Sequence, residues 1–307
     1  MIDNHPQHWM ITGASGLLGH ALCEHLATVG KTVSALKSTN DVGIEGVREF
    51  AVDVTDKGEI QRIITELKPD VIVHTAGLTN VDECEKNPAL AEAVHVEGTR
   101  YIAEAAQILN ISMVYISTDH LWDGTQSMVD EKTPTKPINV YARTKHDGEL
   151  VALDICKQAL SIRTNFFGPG RPWRPSFSDW ILKNLAQGVP LNMFTDAYFT
   201  PISTHYLSRA IIELVADKAN GIFNVVGSER LSKYEFAILL AEAANYSSHT
   251  INKVLLSDFG LAAPRPLDMS LSTEKIITFL KHTMPTAKEC INSLNLSVST
   301  PERTKVR

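Results

Sequence analysis

Short apolar runs along the chain alternate with stretches in which apolar residues recur every three or four positions. The runs WMIT (9–12), TVSALK (32–37), EFAVDV (49–54), DVIVHTAG (70–77), SMVYIST (112–118) and ALSIRT (159–164) predict six strands. GIFNVVG (221–227) predicts a seventh that returns to the same sheet. Between the third and fourth runs, Ile60, Ile63, Ile64 and Leu67 share one helical face, with Thr55 or Asp56 as the N-cap. Residues 88–110 predict one long helix, and the segment carrying Tyr141 and Lys145 another. Strands that are apolar on both faces and separated by helices imply a parallel sheet covered on both sides. The predicted fold is therefore α/β, a doubly wound parallel (Rossmann) sheet, whose ligands bind outside the carboxyl ends of the strands.

The pattern changes near residue 165. NFFGPGRPWRPSF (165–177), rich in Gly, Pro, Arg and aromatics, predicts a long loop; helices are expected over 178–188, 205–218 and 233–245. This divides the chain into a nucleotide-binding domain over 1–165, with a return around 205–227, and a smaller, discontinuous C-terminal substrate lobe over 166–204 and 228–307. The tail beyond 285 has weak periodicity and a basic end, TPERTKVR, expected to fray.

With 44% hydrophobic and 21% charged residues among 307, the composition is that of a soluble globular protein. A net charge of −6 without a polybasic run argues against nucleic acid or a membrane surface as partner. Anionic ligands would need local cations or backbone amides. Cys23, Cys84, Cys156 and Cys290 form no C-x-x-C pair and fit isolated thiols in a reducing compartment. The start, MIDNHPQHWM, has no basic segment followed by an apolar run, and a cytoplasmic location is expected. A homodimer is left open.

Candidate chemistry begins at Gly13-Ala-Ser-Gly16-Leu-Leu-Gly19, a G-x-x-G-x-x-G turn at the first strand–helix junction. Gly13 permits the tight turn, Gly16 lets phosphates approach the backbone, and Gly19 allows close packing of helix on strand. Helix N-termini offer free amides and a partial positive charge to a pyrophosphate. Ser15, Leu17 and Leu18 belong to the same candidate site. The second strand ends ALKSTN with no acid before Asp41. Lys37, with Ser38, could meet a 2′-phosphate, which leans towards NADPH over NADH. Asp53 and Val54, at the end of the third strand, are placed to flank an adenine. Ala76, Gly77, Leu78, Thr79 and Ser117 are further cofactor candidates.

Tyr141 and Lys145, four apart, share a helical face. Thr118 ends the fifth strand, at the sheet edge where a reacting group belongs. Reducing a ketone needs a hydride on carbon and a proton on oxygen. A phenol can donate that proton; lowering its pKa by about three units from about 10 takes roughly 4 kcal/mol. An ammionium at Lys145 can contribute by charge attraction, and the Thr118 hydroxyl can bond the carbonyl oxygen.

Together these stretches resemble the extended short-chain dehydrogenase/reductases, and within them the dTDP-4-dehydrorhamnose reductase family. The resemblance rests on GASGLLG (13–19), DVTD (53–56), PDVIVHTAGLTNVDECE (69–85), AVHVEGTRYIAEAA (93–106), YISTDHLWDG (115–124), PINVYARTKHDGE (137–149), SIRTNFFG (161–168) and RPLDMSLS (265–272), in family order. It implies Thr118, Tyr141 and Lys145 as the catalytic trio, NADPH or NADH as cofactor, and a 4-keto-6-deoxy sugar-nucleotide substrate serving surface polysaccharide synthesis. Asp119, Phe166 and Arg265 are the substrate candidates, Arg265 near the diphosphate. Arg171, Trp173 and Arg174 suit a phosphate and a stacked base, or form a plain surface loop. Asp82, Glu83 and Glu85 are read as a solvated helix start rather than a cation site; no metal is expected. The chain departs from the family at His95, where an Asn usually supports the active-site Lys through water, and at His120, Leu121, Trp122, Asn165 and Phe166. Two other functions stay open: an epimerase or dehydratase of the same superfamily, and a regulatory subunit resembling the β-subunit of methionine adenosyltransferase. The absence of an acid after Asp119 counts against dehydration.

Overall fold

The computed structural model describes residues 6–296; the basic end of the tail lies outside them. The first half builds β1 (His8–Thr12), α1 (Leu17–Thr28), β2 (Thr32–Lys37), β3 (Arg48–Ala51), α2 (Lys57–Leu67) and β4 (Val71–His74). Then follow α3 (Val81–Lys86), α4 (Pro88–Glu92), a π-helical turn (Ala93–Glu97), α5 (Gly98–Leu109), β5 (Ser112–Ile116), α6 (Val140–Ile155) and β6 (Ala159–Arg163). The remainder comprises β7 (Phe166–Phe167), α7 (Phe177–Ala186), β8 (Leu191–Phe194), β9 (Tyr198–Phe199), β10 (Ile202–Ser203), α8 (Thr204–Ala216), β11 (Gly221–Asn224), β12 (Leu231–Ser232), α9 (Lys233–Ala243), β13 (Ile251–Val254), α10 (Glu274–Leu280) and α11 (Ala287–Asn292).

Seven strands form one sheet in the order β11-β6-β5-β4-β1-β2-β3, and every neighbouring pair is parallel. The chain leaves β1 towards β2 and β3 on one side and returns to β4 on the other. The switch point therefore lies between β1 and β4, where a crevice opens at the carboxyl edge. Alternate residues face opposite layers. Trp9, Ile11, Val33, Ala35, Val71 and Val73 pack with Leu18, Leu22 and Leu26 of α1 and Leu207, Ile211 and Leu214 of α8. Met10, Leu36, Ile72, Met113 and Tyr115 pack with Ile60, Ile63 and Ile64 of α2 and Ile102 and Ala106 of α5. Each such aliphatic chain withdrawn from water contributes about 1.5–3 kcal/mol.

Most predicted elements are present, with shifted ends. The third strand stops at Ala51, so Asp53 and Val54 lie in the turn before α2. Asp53 ties that turn by accepting from the Thr55 amide and hydroxyl, and Asp56 caps α2 by accepting from Glu59 N. The fourth strand ends at His74 and the fifth at Ile116, which leaves Ala76–Thr79 and Ser117–Thr118 in the loops beyond the sheet edge. The helix expected over 88–110 is broken by the π turn around His95. Beyond residue 165, three two-stranded sheets pair β7 with β10, β9 with β12 and β8 with β13.

Candidate active site

A cavity of about 980 Å³ opens at the switch point, at the upper end of the range for small-molecule and cofactor sites. The glycine turn forms its floor. Gly13 has φ +63°, and a Cβ there would lie 2.7 Å from the backbone of Ala76; one on Gly19 would lie 2.4 Å from Gly13 O. Gly13 thus lets the turn nest against the loop after β4, and Gly19 lets the start of α1 pack on the turn itself. Gly16 caps α1 without a side chain to bond its first amides, which leaves those donors for a ligand. The donor set and the cavity fit a dinucleotide diphosphate.

All the candidate cofactor residues line this one cavity: Gly13, Ser15, Gly16, Leu17, Leu18 and Gly19 of the turn, Lys37, Asp53 and Val54, Ala76 to Thr79, Ser117, Tyr141 and Lys145. Thr118, Asp119 and Phe166 line it too. Arg265 does not. Its guanidinium pairs with Asp82 at 2.9 Å and donates to Ala263 O at 2.8 Å, so this cation is spent on holding the 263–265 segment to the start of α3. Lys37 is also engaged: its ammonium pairs with Asp41 and lies 3.3 Å from Glu49. Glu49 in turn accepts the amides of Val42 and Gly43. The lysine expected to meet a 2′-phosphate is thus already neutralised by two carboxylates.

At the far end of the cavity, Tyr141 and Lys145 project from the first turns of α6, which starts at Asn139 because that side chain accepts from Ala142 N at 2.8 Å. Burial pushes the Tyr141 phenol up to about 12, although the Thr118 hydroxyl works to lower it. Burial therefore outweighs the groups that would make this phenol more acidic. Lys145 Nζ is directed instead at the end of β5, donating to Ile116 O at 2.7 Å and lying 4.2 Å from the centre of the Tyr115 ring. Burial lowers this lysine to about 7, against the attraction of Glu149.

Asp119 is buried, accepting from Asn165 Nδ2 at 2.6 Å. Burial raises its carboxyl to about 6 while the Lys233 charge opposes the shift. His120 stands edge-on to Tyr141 with ring centres 5.6 Å apart, and its Nδ1 is buried without a partner. Burial and the charges of Lys233 and Arg265 depress it to about 3, so the imidazole is neutral in the physiological range. Lys233 is the residue that sequence reasoning missed. It opens α9 and lies 3.2 Å from the centre of the Phe199 ring. The Ser232–Glu235 capping box marks that helix start, but nothing in the linear pattern brings residue 233 towards residue 119.

His95 makes no direct bond to Lys145. Its Nδ1 pairs with Thr144 Oγ1 at 2.8 Å and its Nε2 with Leu78 N at 2.9 Å, joining α6 to the cofactor-side loop. Asp82, Glu83 and Glu85 are individually occupied: Asp82 by Arg265, Glu83 Oε1 by Asn87, and Glu85 by the Val140 amide. Among the described residues no group of three His, Cys, Asp or Glu side chains is arranged to hold a metal ion, and no helix is long and apolar enough to cross a membrane. A second cleft, near Tyr206, Glu213 and His282, holds only about 150 Å³, too little for a dinucleotide.

A Rossmann sheet whose switch-point cavity runs from a glycine turn to a tyrosine and lysine one helical turn apart defines a class, the NAD(P)-dependent reductases of the extended short-chain dehydrogenase/reductase type. Within it, the chain belongs to the family described as RmlD substrate binding domain, whose model matches residues 7–296. The chain is 26% identical to the probable low-salt glycan biosynthesis reductase Agl14 of Haloferax volcanii, over 94% of this chain and 97% of that protein. It is 32% identical to a hypothetical dTDP-4-dehydrorhamnose reductase of Sulfolobus tokodaii of known crystal structure, with a TM-score of 0.81 over 91% of this chain and 97% of that one. The dTDP-4-dehydrorhamnose reductase of Bacillus anthracis, crystallised with NADP, superposes with a TM-score of 0.82 at 24% identity, over 95% and 99% of the two chains, and shares the fold.

Proposed function

We propose that this protein reduces the 4-keto group of a 4-keto-6-deoxy sugar nucleotide, of the dTDP-4-dehydrorhamnose type, with NADH or NADPH, and that its product feeds surface polysaccharide synthesis. One observation carries the reading: Thr118, Tyr141 and Lys145 line the same cavity as the glycine turn. The glycan-synthesis and dehydrorhamnose-reductase names of the relatives support the choice of substrate.

When bound, the reduced nicotinamide supplies the hydride to the carbonyl carbon. The protein's own part is then to place and protonate the oxygen. Tyr141, fully protonated at neutral pH, gives its proton to the oxygen as the C–O bond becomes an alkoxide, and the phenolate is reprotonated from solvent. The Thr118 hydroxyl donates to the same oxygen and stabilises the charge growing there. Lys145, protonated below about pH 7, does not acidify the resting phenol; its positive charge would act on the phenolate only after the proton has left. Asp119, held by Asn165, and Phe166 line the sugar end. Arg265 would have to leave Asp82 to reach a diphosphate. Residues 166–204 and 228–307 are assigned to the substrate, and the remaining sheet and helices to the cofactor. The neutral His120 after Asp119, where a dehydratase would carry an acid, favours reduction over dehydration.

The test is stoichiometry and one mutant. With a 4-keto-6-deoxy sugar nucleotide, each product formed is expected to consume one NAD(P)H, read at 340 nm. Tyr141→Phe is expected to lose turnover by about 10²-fold or more with cofactor affinity nearly unchanged. Turnover without net cofactor loss would mean an epimerase, and an active Tyr141→Phe enzyme would refute the proton donor.

A further inference from the structure

The loop between β7 and α7 is built more firmly than its Gly, Pro and Arg content suggests. Arg171 and Arg174 exchange backbone hydrogen bonds at 3.1 and 2.8 Å, and Asp179 holds the Gly170 and Ser176 amides at 2.7 and 2.9 Å. The loop is also anchored on both sides of the cofactor crevice. On one side, Arg171 Nη1 meets His20 Nε2 of α1 at 2.6 Å and Nη2 donates to Val42 O, in the loop after β2, at 3.1 Å; the guanidinium also stands 4.8 Å from the centre of the Trp173 ring. On the β4 side, Arg174 Nη2 donates to Thr79 Oγ1. Since β1 lies between β2 and β4 in the sheet, a segment tied to both flanks crosses the end of β1, which is the glycine turn.

The charges along the cavity complete the argument. Three cations line it: Lys37, Lys145 and Arg174. Lys37 is neutralised by Asp41 and Glu49, and Lys145 sits at the phenol end on Ile116 O. Arg174 alone meets only a neutral hydroxyl, with no carboxylate within 4.0 Å among the described residues. A guanidinium left uncompensated in the cavity that the glycine-turn amides also line is a second half of a diphosphate site.

We infer that residues 169–176 form a strap across the crevice that presses Arg174 onto a ligand diphosphate lying on the glycine turn, with Arg171 positioning it through His20 and Val42. This rests on the proposed function. A diphosphate occurs both in the dinucleotide and in the sugar nucleotide, and binding measurements separate the two. NADH, NADPH, dTDP and UDP would each be titrated calorimetrically into the wild-type chain, Arg174→Ala, Arg174→Lys and Arg171→Ala, at two salt concentrations. Loss of a charged hydrogen bond predicts about 10- to 100-fold weaker binding for Arg174→Ala, with a flatter salt dependence. Arg174→Lys should recover part of the affinity, and Arg171→Ala should weaken the same ligands. An effect confined to NADH and NADPH assigns the strap to the cofactor, and one confined to dTDP and UDP to the substrate. Wild-type binding that Arg174→Ala leaves unchanged, in affinity and salt slope, overturns the strap and leaves the function standing. No binding of any of the four by the wild type overturns both.

Discussion

His95 shows how a single side chain can join two parts of a site. The Thr144 hydroxyl donates its hydrogen to Val140 O at 2.9 Å, so its oxygen must accept from His95 Nδ1–H. Burial, followed by the Lys145 charge, lowers this imidazole to about 3, so the ring is neutral and Nε2 accepts the Leu78 amide. The Leu78 carbonyl is then served by the Cys84 thiol at 3.8 Å. His95→Ala would leave the half-buried Leu78 amide without its acceptor, take from the Thr144 oxygen its donor, and open a cavity, for a loss of about 2–4 kcal/mol. We expect a lower denaturation midpoint and weaker cofactor binding, since Gly77 and Leu78 line the cavity; His95→Asn should retain part of both. A His95→Ala protein as stable as wild type would remove this role. The residue type was visible in the sequence as a departure from an expected Asn. Its partners, 17 and 49 positions away, were not.

Among the elements, α6 brings Tyr141 and Lys145 to the cavity and is braced on two sides. Gly148 lets it approach the π turn so closely that a Cβ would lie 2.3 Å from His95 O. One residue on, Glu149 is buried against Arg163 of β6, with oxygen–nitrogen distances of 2.6 to 3.2 Å, and accepts from Ser161 Oγ at 2.8 Å. Burial works to raise its carboxyl, but the His146 ring at 3.8 Å, Arg163 and Ser161 more than offset this and bring it down to about 2. A carboxyl lowered in the folded state adds stability above its ordinary value of 4.5, and loses it as pH falls from there to about 2. Glu149→Gln should therefore cost about 3–5 kcal/mol at pH 7 by stranding Arg163, and should flatten the loss of stability between pH 4.5 and 2. Urea unfolding across that pH range checks both, and an unchanged acid limb would count against the pair. The helix itself was legible from its spacing, as were the long strands, because burial imposes a period of 3.6 or 2 on the sequence. The π turn was not, since it answers to packing against α6. Nor were the two-residue strands β7, β9, β10 and β12, which are too short to show any period.

Across the whole molecule, the small C-terminal sheets do not own a separate core. Phe167, Ile181, Phe199 and Phe236 belong to the same apolar cluster as Ile11 and Val73 of the main sheet. The crevice is thus walled by two parts of the chain that fold against one hydrophobic body. A ligand bridging them should stabilise the whole. At a concentration about 100 times its Kd, NADH or NADPH is expected to add about 2.7 kcal/mol, or roughly 5 °C in Tm, in a thermal shift experiment. No shift at saturating cofactor would contradict the reading of the cavity.

The order of strands and helices, the glycine turn and the tyrosine–lysine pair are local facts, encoded within a few consecutive residues by hydrophobic period, backbone freedom and helical pitch. Which charges are free is not local. Lys37, Arg265 and Arg174 look alike along the chain, yet folding spends the first on Asp41 and Glu49, the second on Asp82, and leaves the third over the crevice. Likewise, whether Lys145 lowers the Tyr141 phenol or turns to Ile116 O depends on burial and on acceptors contributed by distant strands. Electrostatics acts through space, so these outcomes exist only once the chain has closed on itself.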